Sequence, residues 1–137
     1  MTSNTEITAN HSFRFTKAER LCSKKTIDKL FTDGDSFISY PLKVVYLHAD
    51  LNTNYPVQAA FTVSKKIFKS AVKRNRIKRL MRESYRLNKH ELYKFLNEQQ
   101  LALFFIYIGK EMPEYKVVES ATKKAIRTIQ EHLSSNS

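Results

Sequence analysis

Apolar and polar positions along the 137-residue chain change period several times, and each change marks an element. Ile27, Leu30 and Phe31 share one face of a helix that Ser23 caps and Gly34 stops, running through about Thr32. Ahead of it, Thr16-Lys-Ala-Glu19 has the form of a capping box, too brief to make a helix by itself. Phe37 to Tyr40 reads as a short strand ended by Pro41, and "LKVVYLH", Leu42 to His48, as a longer one rich in β-branched and aromatic residues. Beyond the turn-rich "ADLNTNYP", the stretch Val57 to Val63 predicts a further strand, expected to form a hairpin with its predecessor. Helical spacing returns from Ser70 to about Leu87 and can be followed on to Phe95 and Leu96. "LALFFIYI", Leu101 to Ile108, is continuously apolar, which suits a strand buried on both faces. Pro113 and Glu114 open a last helix with Val118, Ala121, Ala125, Ile129 and Leu133 at helical spacing. The order is αβββαβα, which predicts an α/β (α+β) two-layer sandwich in which a small mixed sheet packs against helices.

Length and composition describe an ordinary globular domain: 42% of residues are hydrophobic and 27% charged. A single domain over 16–133 is expected, after a disordered lead-in at 1–15 and before a frayed tail at 134–137. The net charge of +11 is not ordinary, and it is local. Between Lys65 and Lys94 stand twelve lysines and arginines against two acids, Glu83 and Glu91, so this segment carries nearly the whole excess. Such a concentration predicts a patch that meets a polyanion.

An α-helical wheel makes the patch one-sided. Arg74, Asn75, Lys78, Arg79, Arg82 and Arg86 fall within an arc of roughly 140°. Ile77, Leu80, Met81, Ser84 and Leu87 fall within roughly 120° on the other side, with Arg76 and Glu83 near a boundary. Five of the basic residues after Lys73 are arginines, whose planar forks pair bidentately with phosphate and stack on bases. Lys65, Lys66 and Lys69 lie where strand passes into helix, a place whose free backbone N–H groups also favour phosphate. A merely solvated helix face would not concentrate charge in this way. A membrane-surface helix would carry large aromatic wedges that this apolar stripe lacks. A helix-turn-helix reader of DNA needs a preceding helix and turn, whereas Ser64 follows a strand directly. RNA recognition often pairs a rigid basic element with a separate surface for single strands, and "LKVVYLH" with Ile27 and Phe31 can supply one.

The stretch "FTVSKKIFKSAVKRNRIKRLMRESYR" resembles the signature of the protein subunit of bacterial ribonuclease P, with Arg74-Asn-Arg76 and Ile77-Lys-Arg-Leu80 its most specific part. Upstream, "RLCSKKTIDKLFTDGDSF" is similar to that family's first helix and turn. The resemblance implies a ribonucleoprotein enzyme that removes the 5′ leader of precursor tRNA. Its RNA subunit carries the active site and binds the catalytic Mg²⁺, so no protein-bound cofactor is expected. The implied partners are ribonuclease P RNA and precursor tRNA, in the cytoplasm, with no membrane and no obligate protein partner. Carried over by position, Lys65, Lys66, Arg74, Asn75, Arg76, Lys78, Arg79, Arg82 and Arg86 form the RNA-binding set. Ile27, Phe31, Lys43, Val45 and Thr62 fall where the family builds its cleft for the single-stranded leader. Ile27 stands where a phenylalanine is common and Val45 where an aromatic is common, which implies a sequence-tolerant cleft that reads backbone. The resemblance also implies a left-handed βαβ crossover around the motif helix, against the usual hand.

No self-contained active site is legible. His11, His48, His90 and His132 share no ligand spacing, and Asp33-Gly-Asp35 is not followed by a calcium-loop pattern. Cys22 is the lone cysteine, so neither a disulfide framework nor a cysteine zinc site is expected, in keeping with a reducing compartment. The longest apolar run, eight residues from Leu101 to Ile108, is too short to span a bilayer, and the first residues lack a secretory signal. Beside the ribonuclease P reading stand a ribosomal or other structural RNA-binding protein and a DNA-binding regulator.

Overall fold

The computed structural model describes residues 14–135. The elements are α1 (Lys24–Asp33), β1 (Asp35–Ser39), β2 (Leu42–His48), β3 (Val57–Val63), α2 (Ala71–Leu96), β4 (Leu101–Tyr107) and α3 (Tyr115–Ser135). The predicted order is therefore observed, and a 3₁₀ turn at Lys17–Glu19 precedes it. Of the predicted lead-in only residues 14 and 15 are described, and Phe15 is already packed edge-on against Phe61 and Tyr85. The last helix runs on through Ser135, beyond the expected boundary at 133.

Local chemistry accounts for the helix ends. The Ser23 hydroxyl accepts from the Thr26 N–H at 3.2 Å, and the Ser70 hydroxyl from the Lys73 N–H at 3.3 Å, each filling an otherwise empty donor of a first turn. Gly34 closes α1, its N–H donating to the Leu30 carbonyl. Any Cβ there would stand 2.4 Å from the Leu30 oxygen and 2.9 Å from that of Tyr46. Close approach, not a left-handed backbone, requires this glycine. α2 continues past Leu87 to Leu96 and ends at Asn97, whose φ is 57° and whose N–H donates to the Tyr93 carbonyl.

The sheet order is β1-β2-β4-β3. β1–β2 and β2–β4 are antiparallel, while β3 and β4 are parallel and joined through α2. The hairpin expected between β2 and β3 does not exist, because β4 lies between them. Two causes are visible. β4 is the most apolar strand, and a central position buries it best. The connection from β2 to β3 can also bridge the gap because Gln100, just before β4, satisfies its backbone. Its amide nitrogen donates to the carbonyls of Thr53 (2.8 Å) and Tyr55 (3.0 Å), and its oxygen accepts from the Leu51 N–H (2.8 Å).

α2 and α3 cover one face of the sheet, where Leu42, Val44, Leu103 and Phe105 meet Ile77, Met81, Ala125 and Ile129. Inside this layer the Ser84 and Thr122 hydroxyls lie 2.8 Å apart and tie the two helices together. α1 lies on the opposite face, with Leu21, Leu30, Val45 and Ala102 forming a smaller core. α1 covers only part of that face, and the remainder becomes the cleft described next.

Candidate nucleic-acid interface

The turn after β3 displays its lysines by hydrogen bonding. The Ser64 carbonyl accepts from the Phe68 N–H (3.0 Å) and its hydroxyl from the Lys66 N–H (3.1 Å). Phe68 is thereby driven into the core beside Tyr107, while Lys65, Lys66 and Lys69 are exposed. Arg74 closes the same turn, its Nη1 donating to the carbonyls of Phe68 (2.7 Å) and Lys69 (2.9 Å). The first arginine of the motif is thus half-buried and bonded to its own chain, rather than standing free on the outer face.

The rest of the basic set divides. Asn75, Arg76, Arg79 and Arg82 are exposed, and Lys78 is half-buried. Arg86 is paired along the helix with Glu83, at 2.6 Å between Nη2 and Oε2. Leu87, on the apolar arc of the wheel, is 38% exposed, whereas Lys89, counted in the charge excess, is 1% exposed. The buried stripe winds around α2 as it runs from Ile77 and Met81 to Tyr85, Lys89, Leu92 and Leu96. A stripe that tracks two different neighbours along 26 residues cannot keep one wheel angle.

Lys89 is neutralised where it is buried. Its Nζ donates to Glu19 Oε2 and to the Arg14 carbonyl, and the Tyr93 hydroxyl donates to the same carboxylate oxygen at 2.5 Å. Glu19 Oε1 accepts from the N–H (2.8 Å) and hydroxyl (3.1 Å) of Thr16, so the capping box read in the sequence is real. Burial pushes the Lys89 ammonium below its ordinary pKa, and Glu19 opposes that shift. Burial likewise raises the hydroxyls of Tyr85 and Tyr93.

Sequence reasoning missed one cation of this surface. Arg20 follows Glu19, pairs by backbone with Ala59 on the open edge of β3, and is exposed. The guanidinium of Arg82 is held below its ordinary pKa, first by partial loss of solvent and then by the charges of Arg20 and Arg79. Arg20 therefore belongs to the same field, although 45 residues of chain separate it from Lys65 and no local charge run announced it.

The five predicted cleft residues come together on the second face of the sheet, four of them at least partly open and Val45 buried beneath them in the small core. Cross-strand pairing aligns Lys43, Ile106 and Thr62 in one row and Val45, Phe104 and Ala60 in the next. Ile27 packs against this small core, and the Phe31 ring stands edge-on to Phe104 with centroids 5.0 Å apart. Phe31 is 51% exposed. Phe104 and Ile106 remain partly open, which corrects the expectation that the "LALFFIYI" strand is buried on both faces. These two residues and Ala60 were not legible as site residues, because a continuous apolar run hides which of its positions stay uncovered. The result is an apolar floor with an aromatic wall and Lys43 at its edge. Exposed rings beside a cation suit the stacking of unpaired bases and the tracking of a phosphate backbone. Thr62 lies two residues before Ser64, so the cleft opens directly onto the lysine turn.

Among the described residues, no group of three or more His, Cys, Asp or Glu side chains could hold a metal ion. Among them also, no helix is long and apolar enough to cross a membrane. Cys22 is exposed, and Asp33 and Asp35 flank the glycine that ends α1. The His132 Nδ1 lies 2.8 Å from the Tyr46 hydroxyl, and His11 lies outside the described residues.

A small α/β sandwich with a basic helix, a lysine turn and an adjoining aromatic cleft defines a nucleic-acid-binding domain. The chain belongs to the Ribonuclease P family, whose profile matches residues 15–130. It is 39% identical over 125 residues to the ribonuclease P protein component of Porphyromonas gingivalis, covering 90% of this chain and 91% of that one. It is 34% identical over 125 residues to the ribonuclease P protein component of Chlorobium phaeobacteroides, covering 82% and 86%. The fold is that of the RNase P protein of Staphylococcus aureus, with a TM-score of 0.67 at 18% identity over 82% of this chain and 96% of that one.

Proposed function

We propose that this protein is the protein component of a bacterial ribonuclease P, a ribonucleoprotein that trims the 5′ leader from precursor tRNA in the cytoplasm. Lys65, Lys66, Asn75, Arg76, Lys78, Arg79 and Arg82 meet the phosphates of the catalytic RNA, and the Ile27/Phe31/Lys43/Val45/Thr62 cleft receives the leader. The RNA supplies the active site and holds the Mg²⁺. The protein lowers the repulsion between two polyanions brought into contact. The observation that carries this reading is the continuity of surface from the cleft, through Thr62, to the lysine turn and the arginine face of α2. A single strand held in that cleft is delivered directly to the basic patch.

The test is cleavage of precursor tRNA by a bacterial ribonuclease P RNA at low Mg²⁺, with and without the protein. Rescue of 5′ processing, lost in an Arg76→Ala/Arg79→Ala double variant, is expected. Tight RNA binding without rescue would favour a structural RNA-binding protein, and preference for one DNA duplex sequence would favour a regulator.

A further inference from the structure

We propose that the buried Glu19–Lys89–Tyr93 cluster is a clasp that positions Arg20, so that Arg20, Arg79 and Arg82 together grip one stretch of RNA phosphate. The inference rests on the RNA-binding reading above and adds a residue and a positioning device to it.

The geometry starts at Glu19. Both oxygens of its fully buried carboxylate are engaged, Oε1 by Thr16 and Oε2 by Lys89 and Tyr93. Lys89 also holds the Arg14 carbonyl, so the chain on the near side of Glu19 is fixed at two points on α2. On the far side, the Leu21 N–H donates to the Ala59 carbonyl at 3.0 Å and the Leu21 side chain is buried under α1. Arg20 stands between these anchors. Its backbone is bridged to the edge of β3, and its side chain is left outside.

A buried ion pair is a poor source of net stability, since apolar residues of similar volume do as well or better. What it does supply is a single admissible arrangement, because neither charge tolerates being left unpaired. Here that arrangement fixes Arg20, next to Glu19, alongside α2. Arg82 lies seven residues, or two turns, before Lys89 on the same side of that helix, and Arg79 one turn further on. Among the described residues the ion pairs are Glu83–Arg86 and Glu19–Lys89, and neither includes Arg20, Arg79 or Arg82. Their mutual repulsion is felt at Arg82. A concentration of unneutralised forks is relieved by a phosphate backbone, which accepts paired N–H donors from each. The plainer reading is that the clasp only seals the edge of β3. That reading gives Glu19 no influence on RNA affinity while the protein is folded.

The experiment measures affinity for bacterial ribonuclease P RNA across a salt series, in parallel with a mixed-sequence RNA duplex. Arg20→Ala is expected to weaken binding about tenfold and to lower the log–log salt slope by about one. Glu19→Gln should reproduce most of that loss, and adding Arg20→Ala to it should cost less than about a further twofold. Tyr93→Phe, which removes a single bond to Glu19, replaces Glu19→Gln if that variant does not fold, and a smaller loss with the same non-additivity is expected. The clasp is overturned if Arg20→Ala leaves binding unchanged, if the Glu19 variant binds like wild type, or if the two losses multiply. Wild-type binding to the duplex but not to ribonuclease P RNA would sink the functional reading while the duplex still tests the clasp. Binding to neither overturns both.

Discussion

Nη1 of Arg74 lies 2.7 Å from the carbonyl oxygen of Phe68 and 2.9 Å from that of Lys69, so the first arginine of the basic motif fastens the turn that displays the lysines. Two charge-assisted bonds of this kind are worth about 1.5–3 kcal/mol between them. Arg74→Ala should therefore destabilise the fold by roughly that amount, read from the urea midpoint at constant m. A lysine at 74 reaches the same region without the fork and should recover only part of the loss.

Arg79 behaves differently because it is exposed and, among the described residues, makes no such bond to a backbone carbonyl. Arg79→Ala should leave the urea midpoint within about 0.5 kcal/mol of wild type. It should lower the salt slope of RNA binding by about one. Finding both variants alike in stability would show that the Arg74 contacts contribute nothing.

The cleft predicts a dependence on the leader itself. Phe31 is half exposed and stands over Phe104, so Phe31→Ala removes a stacking surface at little cost to the core. Affinity for precursor tRNA with a leader should fall by about 1–3 kcal/mol per lost base stack, and affinity for leaderless tRNA should not change. Lys43→Ala, at the edge of the same cleft, should reduce the salt slope for the precursor alone. Equal losses for both RNAs would mean that the cleft is not where the leader lies.

Alkaline pH should unfold the protein through its tyrosines. Burial raises the hydroxyls of Tyr85 and Tyr93, whereas an unfolded tyrosine ionises near pH ~10. The native state keeps protons that the unfolded state sheds. The stability contributed is thus fully present below about pH 10 and is lost as pH rises beyond it. Lys89 acts in the opposite sense, since its folded value is depressed, but it is one group against two. In an absorbance titration at alkaline pH, Tyr85 and Tyr93 should ionise only with loss of structure. Tyr93→Phe should flatten the decline of stability with pH. Smooth titration of all seven tyrosines in a folded chain would refute this.

Much of this molecule was legible because its causes are local. Ser23 caps and Gly34 stops α1 as their positions in the sequence predict, each through a bond to a residue three or four positions away. The basic helix, its exposed Arg76, Arg79 and Arg82, and the αβββαβα order follow from periodicity in the same way. Of the residues that the family resemblance assigned to a cleft, Lys43, Val45 and Thr62 fall in adjacent rows of the sheet, and Ile27 and Phe31 stand on the helix over them.

What was not legible depends on partners far along the chain. Lys89 reads as one more surface cation until Glu19, 70 residues away, meets it in the core. Strands β2 and β3 read as a hairpin until β4, which follows both, enters between them. Phe104 and Ile106 read as core until α1 is seen to cover only part of their face. By itself, then, the sequence determined the elements, the charge of the surface and the kind of partner it meets, since these arise from neighbouring side chains. Only the tertiary structure decided strand order, which cations remain free and which apolar positions stay open. Burial and pairing are properties of the contacts a residue finally makes, and those come from segments that no local pattern relates.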